Sequence, residues 1–154
     1  MPIISFGAPL TATASAVFGV GPLVTPGQPT ARSILVVEDF PEVRQLYVEA
    51  LAGAGYVVDG LGDGQAAIQA LRARRYDVIV CTYRMEGVTG LDVLEAARRH
   101  ARGTVVILLA AMATDAVVAQ AYACGAFAVL AKPVSAPTLL RTVDDALDAV
   151  RGIA

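Results

Sequence analysis

Apolar residues along this chain follow two alternating rhythms. Short, branched, nearly continuous runs such as Ser33-Ile34-Leu35-Val36-Val37 suit strands covered on both faces, and similar runs fall at Tyr56–Asp59, Asp77–Cys81, Thr104–Leu109 and Phe127–Leu130. Between them the apolar positions return at helical spacing. Pro41 opens a helix with Val43, Leu46, Tyr47, Ala50 and Leu51 on one face, and Gly53 and Gly55 close it. Gln65–Arg74, behind Asp63 as a cap, carries Ile68 and Leu71. Leu91–His100 and Thr114–Cys124 form the third and fourth helices. The fifth spans Ala136–Val150 behind Ser135, with Leu139, Leu140, Val143, Leu147 and Val150 facing inward.

Strict strand–helix alternation with short connections predicts a three-layer, doubly wound α/β domain: a five-stranded parallel sheet with five helices on its two faces. Right-handed crossovers leave few topologies, of which the flavodoxin-like order 2-1-3-4-5 is expected. Ligands of such folds bind beyond the carboxyl ends of the strands. The residues standing there are Glu38 and Asp39 after the first strand, Thr82 after the third, Ala110 after the fourth and Lys132-Pro133 after the fifth.

Composition narrows the picture. With 56% hydrophobic and 17% charged residues among 154, the chain is no disordered polymer, and residues 32–154 suffice for one core. Residues 1–31 differ: Pro2, Pro9 and Pro22 alternate with Ala12, Ala14 and Ala16, which reads as a flexible Ala/Pro/Gly/Thr-rich leader. A secretory signal would open with basic residues, whereas the first here is Arg32. No apolar stretch reaches the roughly 18 residues of a membrane span. Two cysteines, Cys81 and Cys124, make no disulfide framework, so a reducing, cytoplasmic setting without membrane association is expected. The net charge of −2 provides no general attraction for nucleic acid.

The ordered set Ile34-Leu35-Val36-Val37-Glu38-Asp39, Tyr76-Asp77-Val78-Ile79-Val80, Gly90-Leu91, Gly125-Ala126 and Lys132-Pro133 resembles that of a response-regulator receiver domain, from about Ser33 to Val150. That resemblance implies an acidic pair holding Mg²⁺, which prefers oxygen ligands. It also implies an aspartate after the third strand that accepts a phosphoryl group from a histidine kinase. A hydroxyl residue after the fourth strand and a lysine after the fifth would bind phosphoryl oxygens. Glu38, Asp39 and Lys132 match this pattern. The acceptor position falls on Thr82, which lies 43 residues past Asp39 and 50 before Lys132. The hydroxyl position falls on Ala110, and the aromatic switch position of the fifth strand on Val129. In the loop after the third strand, Glu86 and Thr89 replace the family's Pro and Asp.

The resemblance thus implies a degenerate, stand-alone receiver that works through protein partners: a histidine kinase, a downstream regulator, or a second copy as a homodimer. With two carboxylates instead of three, and Lys132 as internal counter-ion, Mg²⁺ binding is expected to be weak or absent. Arg84 is a candidate counter-ion for Glu38 or Asp39. The apolar surface around Val117, Val118, Tyr122 and Val129 is the candidate output face. Two alternatives stand beside this: a phosphoacceptor using Thr82 or Glu86, with no activating base evident next to Thr82, or a small α/β enzyme using Glu38, Asp39 and Lys132. Arg72, Arg74 and Arg75 form one basic cluster and Arg98, Arg99 and Arg102 another, each read as a solvated helix end. Gly60, Gly62 and Gly64 follow the second strand and form no dinucleotide fingerprint.

Overall fold

The computed structural model describes residues 31–153; the leader expected over 1–31 lies, but for Ala31, outside the described residues. Ten elements alternate along the chain: β1 (Ser33–Val37), α1 (Pro41–Gly53), β2 (Val57–Leu61), α2 (Gly64–Ala73), β3 (Val78–Thr82), α3 (Gly90–His100), β4 (Val105–Ala110), α4 (Asp115–Ala123), β5 (Ala128–Ala131) and α5 (Ala136–Ile153). The strands pair in parallel in the order β2-β1-β3-β4-β5, the doubly wound topology the alternation predicts.

Strand parity divides the core. Leu35, Val37, Ile79, Cys81, Val106 and Leu108 face one way, onto Ala67 and Leu71 of α2, Val93, Leu94 and Ala97 of α3, and Ala121 of α4. Their neighbours Ile34, Val36, Val78, Val80, Ile107 and Leu109 face the other way, onto Tyr47 and Leu51 of α1 and Leu139, Val143 and Leu147 of α5. Both faces of β1, β3 and β4 are therefore dry, which is why their sequences are continuously apolar.

Capping matches the sequence at two predicted positions. Asp63 accepts a 2.7 Å hydrogen bond from the Ala66 amide, and Ser135 Oγ accepts one from the Thr138 amide. Thr89 and Asp92 add a reciprocal capping box at the start of α3. The second strand departs from expectation, running Val57–Leu61 rather than Tyr56–Asp59. The Tyr56 amide still bonds back to Leu51 at the end of α1, while pairing with β1 draws Gly60 and Leu61 into the sheet. Leu46, expected on the buried face of α1, is exposed, and the face is carried by Tyr47 and Leu51.

Candidate functional site

The β1–β3 register pairs Val37 with Cys81, so the next residues, Glu38 and Thr82, stand side by side at the carboxyl edge of the sheet. Both are nearly sealed from solvent, Glu38 at 1% exposure and Thr82 at 4%. The Thr82 hydroxyl donates to Glu38 Oε2 at 2.6 Å, and the Asp39 amide donates to the same oxygen at 3.1 Å. Lys132 enters from the end of β5 and places Nζ 3.0 Å from Glu38 Oε1. A buried carboxylate needs a counter-charge and full hydrogen bonding, and Glu38 has both.

The remaining predicted residues are placed less evenly. Asp39 is exposed and contributes its amide, not its carboxylate, to this cluster. Ala110 is buried at the end of β4, where its carbonyl accepts the Lys132 amide at 2.9 Å and so holds the lysine-bearing segment against the sheet. Arg84 does not serve as the counter-ion: it is exposed, and no ion pair joins it to Glu38 or Asp39 among the described residues. Lys132 fills that role because β5 delivers it directly over the Glu38 carboxylate. Glu86 is exposed in the β3–α3 loop, away from these contacts.

Two features escape the sequence pattern. Arg44 of α1 donates to the Glu38 carbonyl at 2.8 Å, fixing the turn that carries the acidic pair. Gly60 and Gly62 leave room for it, since a Cβ on Gly62 would stand 2.8 Å from Arg44 Nη1. Those alternating glycines were the available signal. The second feature corrects the expectation that Thr82 lacks a base: the Glu38 carboxylate is within hydrogen-bonding reach of its hydroxyl. Sequence alone cannot place it there, because the two residues are 44 positions apart.

Electrostatics around the cluster extend into the core. Burial, reinforced by the Glu38 charge and partly opposed by Lys132, pushes the Cys81 thiol far above its ordinary range. Burial first, then Glu38, also raises the Tyr47 phenol. The donor set is a poor fit for Mg²⁺, which favours several oxygen ligands in octahedral array. Both Glu38 oxygens are committed, Lys132 occupies the approach to Oε1, and no cluster of three or more acidic, histidine or cysteine side chains suited to a metal occurs among the described residues.

On the α4–β5 side, Val117, Val118 and Val129 are half-buried, while Tyr122, Phe127 and Met112 are exposed at 48%, 37% and 70%. Ala121 is the buried residue of α4, so most of that helix's small apolar side chains face outward. Among the described residues no helix is long and apolar enough to cross a membrane.

A doubly wound sheet with acids after β1, a polar residue closing β3 and a Lys-Pro after β5 defines a receiver-type α/β module. The chain belongs to the response regulator receiver domain family, whose model matches residues 34–144. It is 34% identical over 127 residues to the "Probable transcriptional regulatory protein NarL" of Mycobacterium tuberculosis, covering 81% of this chain and 57% of that one. It is also 34% identical over 115 residues to the "DNA-binding transcriptional regulator NtrC" of Escherichia coli, covering 74% of this chain and 24% of that one. This chain therefore spans from just under a quarter to just over half the length of these relatives. Among solved structures, the chemotaxis protein CheY4 of Vibrio cholerae superposes with a TM-score of 0.73 at 29% identity, over 77% of this chain and all of that one. The receiver domain of the M. tuberculosis NarL superposes at 0.69 with 32% identity, over 80% and 99%.

Proposed function

We propose that this receiver module of two-component signalling works without an aspartyl-phosphate switch and communicates through protein contacts. The observation that carries the reading is the occupied niche: Glu38 is held by the Thr82 hydroxyl, the Asp39 amide and Lys132, and Thr82 stands where the receiver resemblance puts the acceptor aspartate. The receiver resemblance gives the lysine after the fifth strand the task of binding phosphoryl oxygens. Here an internal carboxylate engages it, so the loops around the niche rest in one arrangement without a metal or a phosphate. Weak or absent Mg²⁺ binding belongs to the same proposal.

Partners on this reading are proteins of the pathway, a kinase, a downstream regulator or a second copy, met by the α4–β5 surface around Val117, Val118, Tyr122 and Val129. Apolar side chains exposed there are suited to burial against another chain. A module that binds rather than catalyses fits a niche whose polar groups are already mutually satisfied.

The test is incubation with a small phosphodonor such as phosphoramidate or acetyl phosphate, followed by intact-mass measurement. The wild-type mass is expected to stay unchanged, with and without Mg²⁺. Gain of a hydroxylamine-labile phosphoryl group would show an acyl phosphate and overturn the reading.

One observation favours a second reading, in which Thr82 itself is the acceptor: its hydroxyl lies 2.6 Å from the Glu38 carboxylate. The Thr82 oxygen would attack the phosphorus of the donor as the bond to the donor's leaving group breaks, and the hydroxyl proton would pass to Glu38. A hydroxylamine-stable phosphoryl group on Thr82 would establish it.

A further inference from the structure

The arginine cluster at the end of α2 meets Arg102, one member of the second cluster, in space. Arg72, Arg74 and Arg75 at the end of α2 and His100 and Arg102 at the end of α3 line one cleft of about 310 Å³, together with Leu71, Ala73 and Ala101. It opens where β3 and β4 begin, at the end of the sheet away from the Glu38–Lys132 niche. Arg75 reaches across to the Arg102 carbonyl, a long 3.5 Å contact, so two guanidinium-bearing segments of like charge lie beside each other. Gly103, with φ of +91°, keeps the guanidinium of Arg75 close, since a Cβ there would stand 3.2 Å from Nη2.

Charge in the cleft is unbalanced. Arg74 pairs with Asp59 at 2.9 Å and lies over the Tyr76 ring. Arg72, Arg75 and Arg102 pair with no carboxylate among the described residues. Against four guanidiniums stand one carboxylate and two helix C-termini, each equivalent to roughly half a negative charge. About two positive charges remain, which is close to the charge of a phosphate monoester near neutral pH. All four cations are arginines, whose planar forks bind phosphate oxygens in pairs. The volume is at the small end of the roughly 300–1,000 Å³ of ligand clefts, and its lining is too charged for an apolar guest.

We infer that this cleft is an anion site that takes a phosphate ester, presented either by a free nucleotide-like molecule or by a nucleic-acid strand. This site is independent of the niche at Glu38, and the inference stands or falls separately from the proposed function.

The probes are pyrophosphate, followed by amide chemical shifts of the whole chain, and a labelled single-stranded DNA, followed by fluorescence anisotropy. Pyrophosphate is expected to move amides of residues 71–75 and 100–103 saturably. The Arg75→Ala/Arg102→Ala variant should weaken that binding at least tenfold. Arg72→Glu provides a second variant, and because all three residues are exposed, unchanged melting temperatures are expected. Pyrophosphate binding without DNA binding identifies a free anion as the ligand source. DNA binding weakened by the same variants identifies a strand. Shifts confined to the surroundings of Lys132, no saturable shifts with either probe, or binding indifferent to both variants overturns the inference.

Discussion

Thr82 and Glu38, 44 residues apart in the chain, share a 2.6 Å hydrogen bond across the seam between β1 and β3. Parallel pairing of Val37 with Cys81 delivers both side chains to the same edge, and burial of both makes the bond short of alternatives. Thr82→Val keeps the shape and deletes the donor. Glu38 retains Lys132 and the Asp39 amide, so the loss should be about 1.5–3 kcal/mol, the usual value for a hydrogen bond to a charged group. Urea denaturation checks it, and Thr82→Ser should recover most of the difference.

Lys132 is the charge partner of a carboxylate that solvent scarcely reaches, although the lysine itself keeps 20% of its side-chain surface exposed. Lys132→Met should destabilise by about 3 kcal/mol, the low end for breaking a buried pair. Glu38→Gln combined with Lys132→Met should be markedly more stable than Lys132→Met alone, because no uncompensated charge remains. A double-mutant cycle from denaturation midpoints reads the coupling. Near-additive effects would mean that the pair contributes nothing.

Gly90 lets α3 start directly against the end of β3. A Cβ there would stand 2.7 Å from the Thr82 carbonyl oxygen and 2.9 Å from Tyr83 Cα, both backbone atoms that cannot swing away. Gly90→Ala should therefore cost about 1–3 kcal/mol and shift amide resonances of Thr82 and Tyr83. Gly53, the last residue of α1, is the control, with nothing within 4 Å of its would-be Cβ. Gly53→Ala should stabilise by about 0.5–1 kcal/mol.

Tyr76 makes stability depend on alkaline pH. Burial first, then the 2.7 Å hydrogen bond to Asp59 and the Asp59 charge, pushes its phenol far up, with Arg74 acting in the opposite sense. An unfolded tyrosine releases its proton near pH 10, whereas the folded chain keeps it. Above about pH 10 the unfolded state therefore holds fewer protons, and stability falls as pH rises; below it the contribution is fully present. The melting temperature should drop between about pH 9 and 11, and Tyr76→Phe, less stable at neutral pH, should show a shallower drop. Parallel curves for the two proteins would assign the alkaline loss elsewhere.

Much of the fold is written in local pattern. Continuous apolar runs mark strands buried on both faces, and their parity already separates the Leu35–Ile79–Leu108 face from the Ile34–Val80–Leu109 face. Caps at Asp63 and Ser135 are local hydrogen bonds between near neighbours, so they too are legible. Leu46 shows the limit: helical spacing made it a core candidate, but the face of α1 that meets the sheet is narrower than the apolar arc. The end of β2 shows another, since Gly60 joins a strand because β1 offers it partners, against its own preference.

Glu38, Thr82 and Lys132 were legible as residue types at the strand ends, but their arrangement was not, and Arg44 came in where Arg84 stayed out. That Glu38 turns inward while the adjacent Asp39 turns outward follows from strand parity at the edge of the sheet. That Lys132, and not Arg84, neutralises Glu38 follows from where β5 ends, 94 residues further along the chain. The meeting of Arg75 with Arg102 likewise requires α2 and α3 to finish side by side. Sequence by itself determined the order of elements, the faces they bury and the residue types at the strand ends, because these depend on contacts within a few positions. Tertiary structure alone decided which charges meet, because pairing across a parallel sheet joins residues whose separation no local periodicity records.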